Sequence, residues 1–478
     1  MYSLLFLSLV SAFLSLLLTP VIRTLALRRR WLDLPDGIRK NHLSAIPRLG
    51  GVAIAAAYAL SFAIWLLTPL HAGYILEDNL PFILGLLPAP CLILILGIAD
   101  DIRPVQPWKK LAGQTVVAAL AFALGLRITT LAGHEVGGIV SFAVTVFWLL
   151  LCMNAFNLID GMDGLAPGIA IFATMTILFM AVLQDNVPLA LATAPLAGAL
   201  LGFLRYNAPP ASIFLGDSGS LLTGFLLGSY AIVWSQKCAT LLGLTAPVMA
   251  FAVPLLDVAL AVARRFLRGT PIFGADRGHI HHRLLDSGLS RTRAILLLYA
   301  AGALAATFSL LQTVFTNRAA GVITVMFCAL VWFGVQSLGY IEFRATGKLL
   351  RSGSFRRFVS AQIRAESLNA HLQACRDLDS CWTVVEQQAH LNGFQCAEAI
   401  MLGRAFGQPP VSSRFWSVQI PLPGFGALTL YRAPGDSFRD FVLSDFCDIL
   451  QSSLTLRLEQ LSNQPPLNAE PETSSPAA

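Results

Sequence analysis

Eleven stretches of this chain are apolar enough, and long enough or nearly so, to cross a lipid bilayer as helices. They run over about 4–26, 49–70, 81–99, 111–127, 137–153, 166–184, 189–206, 219–235, 241–263, 294–314 and 319–341. A hydrocarbon core about 30 Å thick takes roughly 20 residues of helix, and there every backbone amide must be bonded within the segment. Composition agrees. Of the 478 residues 55% are hydrophobic and only 13% charged, against about 25% charged in a soluble domain. The expected fold class is therefore an all-α polytopic membrane protein over residues 1–342, with about eleven transmembrane helices.

The basic residues orient it. The first run has no basic residue ahead of it and ends in Arg28-Arg29-Arg30, the reverse of a secretory signal. That places the N-terminus outside and the basic end in the cytosol. Later connections keep the same sidedness. Residues 28–48, Arg103, Lys109, Lys110, Arg205, 264–293 and 344–357 carry the positive charge on the cytosolic side. The opposite loops hold His71, Glu77, Asp78, His134, Glu135 and Asp185, with Arg127, Lys237 and Arg318 as exceptions. The net charge of +6 is thus read by position, and no nucleic-acid partner is expected. Eight scattered cysteines contain no C-x-x-C pair, so reduced thiols are expected, not zinc or a disulfide framework.

Five polar islands interrupt the apolar pattern, and this topology puts all of them at the cytosolic face. The densest is Asn154-Ala155-Phe156-Asn157-Leu158-Ile159-Asp160-Gly161-Met162-Asp163-Gly164-Leu165. Ionisable groups at membrane depth are costly, so this stretch must line a protein-walled, hydrated site. Arg39-Lys40-Asn41-His42 precedes a glycine turn, Ile46-Pro47-Arg48-Leu49-Gly50-Gly51. It reads either as an orientation anchor or as a binder of an anionic ligand. Asp100-Asp101 ends the third run, where the helix dipole disfavours carboxylates, so a cation or metal must compensate them. Such a pair can ligate a divalent ion, or one member can act as a base while the other is paired. In Phe214-Leu215-Gly216-Asp217-Ser218-Gly219-Ser220 the aspartate stands at a helix start. That suits an N-cap, a metal ligand, or both. The last island, Asp276-Arg277-Gly278-His279-Ile280-His281-His282-Arg283, has no second ligand pair at zinc spacing. Imidazoles mixed with guanidinium groups suit phosphate recognition better, with one histidine available for proton transfer.

Together these motifs, in their order between spans, resemble the polyprenyl-phosphate N-acetylhexosamine-1-phosphate transferase family over residues 1–342. The His279-Ile280-His281-His282 form is similar to the branch acting on UDP-N-acetylglucosamine, more than to the peptidoglycan-precursor branch. The resemblance implies an enzyme of the bacterial cytoplasmic membrane, acting early in cell-surface polysaccharide synthesis. A membrane polyprenyl phosphate (undecaprenyl phosphate by default) would attack a UDP-N-acetylhexosamine, giving a polyprenyl-diphospho-sugar and UMP. Magnesium would be the cofactor, with manganese a substitute. Under that resemblance Asp217 is the first choice of metal ligand. Asp100 or Asp101 is the second carboxylate, or the group that binds and deprotonates the lipid phosphate. Asp160, Asp163, Asn154 and Asn157 contact the nucleotide or order the metal shell. Arg277, His279, His281 and His282 hold the diphosphate and steady the leaving UMP, while Lys40, His42 and Lys110 serve the phosphates. The rival readings are a transporter, which would place its charges near the bilayer midplane, and a catalytically silent scaffold.

Beyond Glu342 polar residues become frequent. The pattern predicts helices over 354–374, 379–391 and 436–461, with strands at 396–402, 415–420 and 426–431. Residues 343–462 are thus expected to form a small cytosolic α+β domain, loosely similar to GAF-like sensor folds. It carries no evident catalytic constellation and reads as an interaction or regulatory module, for a homodimer or a cytosolic partner. Residues 463–478 have a disordered-type composition.

Overall fold

The computed structural model describes residues 2–33, 45–68, 87–131, 134–236, 245–268, 278–315, 318–338, 366–410, 415–433 and 441–462. Two units are distinguished, one of Met1–Ala263 with Ile272–Gly339 and one of Arg264–Pro271 with Tyr340–Ala478.

The first unit is helical. Its elements are α1 (Tyr2–Arg29), α2 (Gly50–Leu67), α3 (Pro88–Ile102), α4 (Pro107–Ala123), α5 (Gly138–Ile159), α6 (Leu165–Leu183), α7 (Val187–Asn207) and α8 (Gly216–Gln236). After them come α9 (Thr245–Ala250), α10 (Ala252–Arg268, in this unit as far as Ala263), α11 (Ile280–Asp286), α12 (Arg291–Val314) and α13 (Arg318–Ser337). Two-residue antiparallel pairs join β1 (Leu32–Asp33) to β2 (Ile46–Pro47) and β3 (Thr130–Leu131) to β4 (His134–Glu135). Among the described residues seven helices are long and apolar enough to cross a membrane by length and composition: α1, α2, α5, α6, α7, α12 and α13. The other four apolar stretches also contain helix but miss that mark for physical reasons. α3 and α4 have 15 and 17 residues, and α8 begins with five small or polar residues. The stretch at 241–263 is broken at Phe251 into α9 and α10.

Small residues let these helices touch at backbone level, the usual device where lipid supplies no hydrophobic drive between helices. A Cβ on Gly198 of α7 would stand 2.0 Å from Ser8 O of α1, and Ser15 Oγ donates to Ala199 O across the same seam at 2.8 Å. Gly97 of α3 meets Ser218 Cα, where a Cβ would come within 2.4 Å. Gly224 of α8 meets Cys152 O of α5, where a Cβ would come within 2.6 Å. These contacts lock α3, α5 and α8 together and so set the positions of the residues at their ends.

In the second unit a helical stretch over 366–374 and α14 (Leu378–Leu391) precede a four-stranded antiparallel sheet; α15 (Phe441–Ser462) follows it. The strands are β5 (Cys396–Met401), β6 (Arg404–Gly407), β7 (Trp416–Leu422) and β8 (Gly426–Arg432), in the order β6-β5-β8-β7. Alternation buries Ala397, Ala399, Met401, Leu428 and Leu430 with Val385, Ala389, Leu450, Leu454 and Leu458 in one core. Strand β6 is absent from the sequence reading. It is a four-residue edge strand, and its tight turn uses Leu402 and Gly403 at φ +50° and +77°, the left-handed pair favoured in two-residue hairpins. Residues 354–365 and 436–440 of two predicted helices lie outside the described residues.

Candidate active site

The site is built on the turn that launches α8. Phe214 N donates to Pro47 O at 2.7 Å, Gly50 N to Phe214 O at 3.0 Å and Gly51 N to Leu215 O at 2.9 Å. The Ile46–Gly51 island is thus a backbone clamp on the second glycine turn. A Cβ at Gly51 would lie 2.1 Å from Gly219 N, and one at Gly216 (φ +73°) 2.1 Å from Arg48 O. Side chains are excluded there so that two backbones can meet.

The clamped turn exposes the first amides of α8, which lack partners within the helix. Asp101, from the last turn of α3, supplies them. Its Oδ1 accepts from Asp217 N at 2.7 Å and its Oδ2 from Ser218 N at 3.0 Å. The cap therefore comes from another helix, and it offsets the unfavourable dipole at the end of α3. Asp100 faces a different partner set. Its Oδ1 accepts from Val105 N at 2.7 Å and its Oδ2 lies 2.9 Å from Lys110 Nζ. Lys110 Nζ is also 2.9 Å from Asp217 Oδ2 and donates to Asn157 Oδ1 at 3.3 Å. Asn157 Nδ2 in turn donates to Asp217 Oδ1 and to Ser220 Oγ. One network thus joins α3, α4, α5 and α8 through Asp100, Lys110, Asn157 and Asp217.

Asp160 caps the C-terminus of α5, and among the described residues it has no hydrogen-bond partner. Burial, together with the Asp217 and Asp101 carboxylates, pushes its carboxyl well above the usual range, and Arg48 offsets this only in part. Asp163 is engaged elsewhere. Its Oδ2 accepts from Ala211 N at 3.0 Å, while Gly164 N donates to Asn207 Oδ1 at 2.9 Å. These bonds fix the α5–α6 turn. Asn154 ties α5 to α4 through Gln114 Oε1 at 2.8 Å.

The histidine island packs against this turn. A Cβ on Gly161 would stand 2.5 Å from His281 Nε2. The His281 ring lies parallel to that of His279, 5.8 Å between centroids, and 4.3 Å from that of His282. Burial, reinforced by His282 beside it, lowers His281 to about 4. At neutral pH it is an uncharged hydrogen-bonding ring, not a cationic phosphate clamp. His279 Nδ1 is 2.9 Å from Asp257 Oδ2.

The structure therefore brings Asp100, Lys110, Asn157 and Asp217 into one cluster, with Asp101 and Asp160 beside it, His281 packed on Gly161 and the rings of His279 and His282 against His281. Asp163 and Asn154 hold backbone and helix instead. Lys40, His42 and Arg277 lie outside the described residues. Sequence reasoning passed over Asp257, Ser220, Asn207 and the backbone role of Arg48. Asp257 carried a signal, a lone carboxylate inside the apolar run 241–263. Ser220 and Asn207 carried none, because their types are common at helix ends.

Among the described residues no three His, Cys, Asp or Glu side chains close a metal shell by themselves. Magnesium, however, commonly takes one or two carboxylates and completes its octahedron with water and substrate phosphate. The Asp100 and Asp217 carboxylates, each 2.9 Å from the same Lys110 Nζ, are an all-oxygen pair that fits that habit.

Comparison with known proteins points the same way. The model of glycosyl transferase family 4 matches residues 83–235, which contain the whole four-helix network. The probable undecaprenyl-phosphate N-acetylglucosaminyl 1-phosphate transferase of Bacillus subtilis (strain 168) is 32% identical over 292 residues, covering 60% of this chain and 78% of that protein. The chain belongs to glycosyl transferase family 4. Further relatives of this glycosyl transferase include the decaprenyl-phosphate N-acetylglucosaminephosphotransferase of Mycobacterium leprae (strain TN). It is 32% identical over 63% of this chain and 81% of its own length. The undecaprenyl-phosphate alpha-N-acetylglucosaminyl 1-phosphate transferase of Escherichia coli (strain K12) is 26% identical over 58% and 76%.

Proposed function

We propose that this family 4 protein transfers an N-acetylhexosamine-1-phosphate from a UDP-sugar to a membrane polyprenyl phosphate, releasing UMP. UDP-N-acetylglucosamine and undecaprenyl phosphate are the default pair. The observation that carries this reading is the convergence of Asp100, Lys110, Asn157 and Asp217 from four helices on one charged network. All four lie within the family match, and the relatives bear the names of such transferases.

In the reaction an oxygen of the lipid phosphate bonds to the sugar-linked phosphorus. The bond from that phosphorus to the bridging oxygen breaks, and UMP leaves with the electron pair. A phosphate monoester has a second pKa of about 6 and is mostly dianionic at neutral pH. The lipid nucleophile therefore needs alignment and charge neutralisation more than a base. Asp100 and Asp217, with Asp160 beside them, would hold magnesium or manganese. That ion, when bound, neutralises charge on the diphosphate. Lys110 keeps the two carboxylates apart and in register. Asp101 acts through the α8 amides it caps, and His281, as a neutral ring, would hydrogen-bond the leaving nucleotide. Lys40, His42 and Arg277 keep their assignment to phosphate and nucleotide.

We also propose eleven crossings, an N-terminus outside, and a site at the cytosolic face of a bacterial cytoplasmic membrane. The charges support this depth. Asp100 and Asp101 end α3, Lys110 opens α4, Asp160 ends α5 and Asp217 opens α8. A transporter would gather them mid-bundle. The sheet-containing unit reads as a regulatory or interaction module, pairing two copies or binding a cytosolic partner.

The test is UMP release by the purified full chain in lipid nanodiscs with UDP-N-acetylglucosamine and undecaprenyl phosphate. Turnover is expected to require both substrates, to vanish in EDTA and to return with magnesium; a chain ending at residue 345 should retain it. No turnover with any UDP-N-acetylhexosamine overturns the reaction. Undiminished turnover in EDTA overturns the metal, and a folded but silent truncation overturns the division of labour. In the same assay Gly161→Ala, which drives a methyl into His281, is expected to slow turnover about a hundredfold, the scale of a 1 Å misplacement at a reacting centre. Normal turnover would detach the histidine island from the site.

A further inference from the structure

We infer that Asp257 is a positioning residue for the transfer, holding His279 in one orientation and tautomer so that Nε2 meets a hydroxyl donor of the bound UDP-sugar as a hydrogen-bond acceptor. This inference rests on the sugar-1-phosphate reaction proposed above. Asp257 lies within α10, in an otherwise apolar stretch, and is 1% exposed. A carboxylate in such a place is costly and needs a reason. Its two oxygens show one. Oδ1 accepts from Ile280 N at 2.8 Å, and Oδ2 stands 2.9 Å from His279 Nδ1. The first bond anchors the start of α11. The second accepts the Nδ1–H hydrogen bond and so leaves Nε2, an unprotonated acceptor, as the ring's one remaining polar atom.

The two bonds act together, because backbone and ring of neighbouring residues are tied to a single rigid group. His279 then lies parallel to His281, and His281 Nε2 abuts Gly161, the residue after Asp160. Asp257 thereby links α10 to the α5–α6 turn through two imidazoles. Buried as it is, it touches no substrate and works through His279. A backbone anchor alone would need any hydrogen-bond acceptor. A carboxylate facing an imidazole also selects the tautomer, as outer-shell carboxylates do for histidines at metal sites.

The test uses the purified full chain and resolves kcat from KM for each substrate. Asp257→Asn can keep its oxygen on Ile280 N–H while presenting an amide N–H to Nδ1, which favours the other tautomer. It is expected to remain folded, with kcat for UMP release lower by about 10–100-fold and KM for the polyprenyl phosphate unchanged. His279→Ala should lose as much, and the double variant no more than either single, since groups acting through one ring are not additive. If Asp257→Asn does not fold, His279→Asn decides. Its amide nitrogen stands near Nδ1 and keeps the Asp257 bond while Nε2 is gone, so a folded, slow enzyme is expected. Lowered thermal stability with normal kcat in Asp257→Asn, multiplicative losses in the double variant, or normal kcat in His279→Asn would each overturn the inference. A wild-type chain silent with every UDP-sugar is a separate outcome, because it refutes the transfer reading itself.

Discussion

Asp217→Asn is expected to all but abolish sugar-1-phosphate transfer, lowering kcat by about a hundredfold to a thousandfold, while the protein keeps its elution profile and thermal transition. The magnitude follows from removing a preorganised electrostatic group from a phosphoryl-transfer site, where single groups are worth about two to three orders of magnitude. Asp217 lies in the first turn of α8, and its backbone amide is already capped by Asp101. The helix start therefore does not depend on the side chain being charged. An amide in its place can still accept a hydrogen bond from Lys110, so that tie survives while the charge and the bond from Asn157 are lost. Kinetics in nanodiscs at saturating magnesium separate the two roles. Near-normal turnover would reduce Asp217 to an ordinary helix-start residue.

Lys110→Met is expected to damage stability and activity together. Lys110 lies between Asp100 and Asp217, 2.9 Å from each. Its removal leaves two partly buried carboxylates facing each other, a loss of about 3–5 kcal/mol for a broken buried pair. Turnover should fall by at least about a hundredfold, because the carboxylates no longer hold their spacing. Lys110→Arg is expected to fold but to stay slow. A planar guanidinium cannot place donors on Asp100, Asp217 and Asn157 in the arrangement of one ammonium. Adding Asp100→Asn to Lys110→Met should recover part of the lost thermal stability and none of the turnover. Recovery of turnover instead would mean that Lys110 acts only as a structural tie.

The membrane-type architecture was legible because helix length and apolarity are set by the bilayer, independently of tertiary detail. Where the pattern was ambiguous, the cause was local. The run at 241–263 breaks at Phe251 because Pro254, three residues on, has no N–H for Ala250 O and crowds that carbonyl, a signal that a count of apolar residues passes over. β6 is too short to show alternation. The identity of the charged islands was also legible, since charges in apolar surroundings are conspicuous. Their division of labour was not. Asp100 and Asp101 are adjacent and alike in sequence, yet one faces Lys110 and the other caps a helix 116 positions away. Asp160 and Asp163 differ as sharply, one unbonded beside like charges and the other bonded to Ala211 N. Which neighbour a carboxylate meets depends on helix packing through Gly97, Gly161 and Gly224, and pair spacing along the chain does not encode it.

The most direct test is to follow the phosphorus. A UDP-N-acetylhexosamine carrying radioactive phosphorus at the sugar-linked position is incubated with the purified protein, magnesium and polyprenyl phosphate, and lipid and water-soluble products are separated. Attack at that phosphorus carries the label into the lipid and leaves unlabelled UMP in the water, which is the expected result. Sugar transferred to the lipid with the label retained in water-soluble UDP would mean attack at the sugar carbon, and would contradict a site built for phosphoryl transfer.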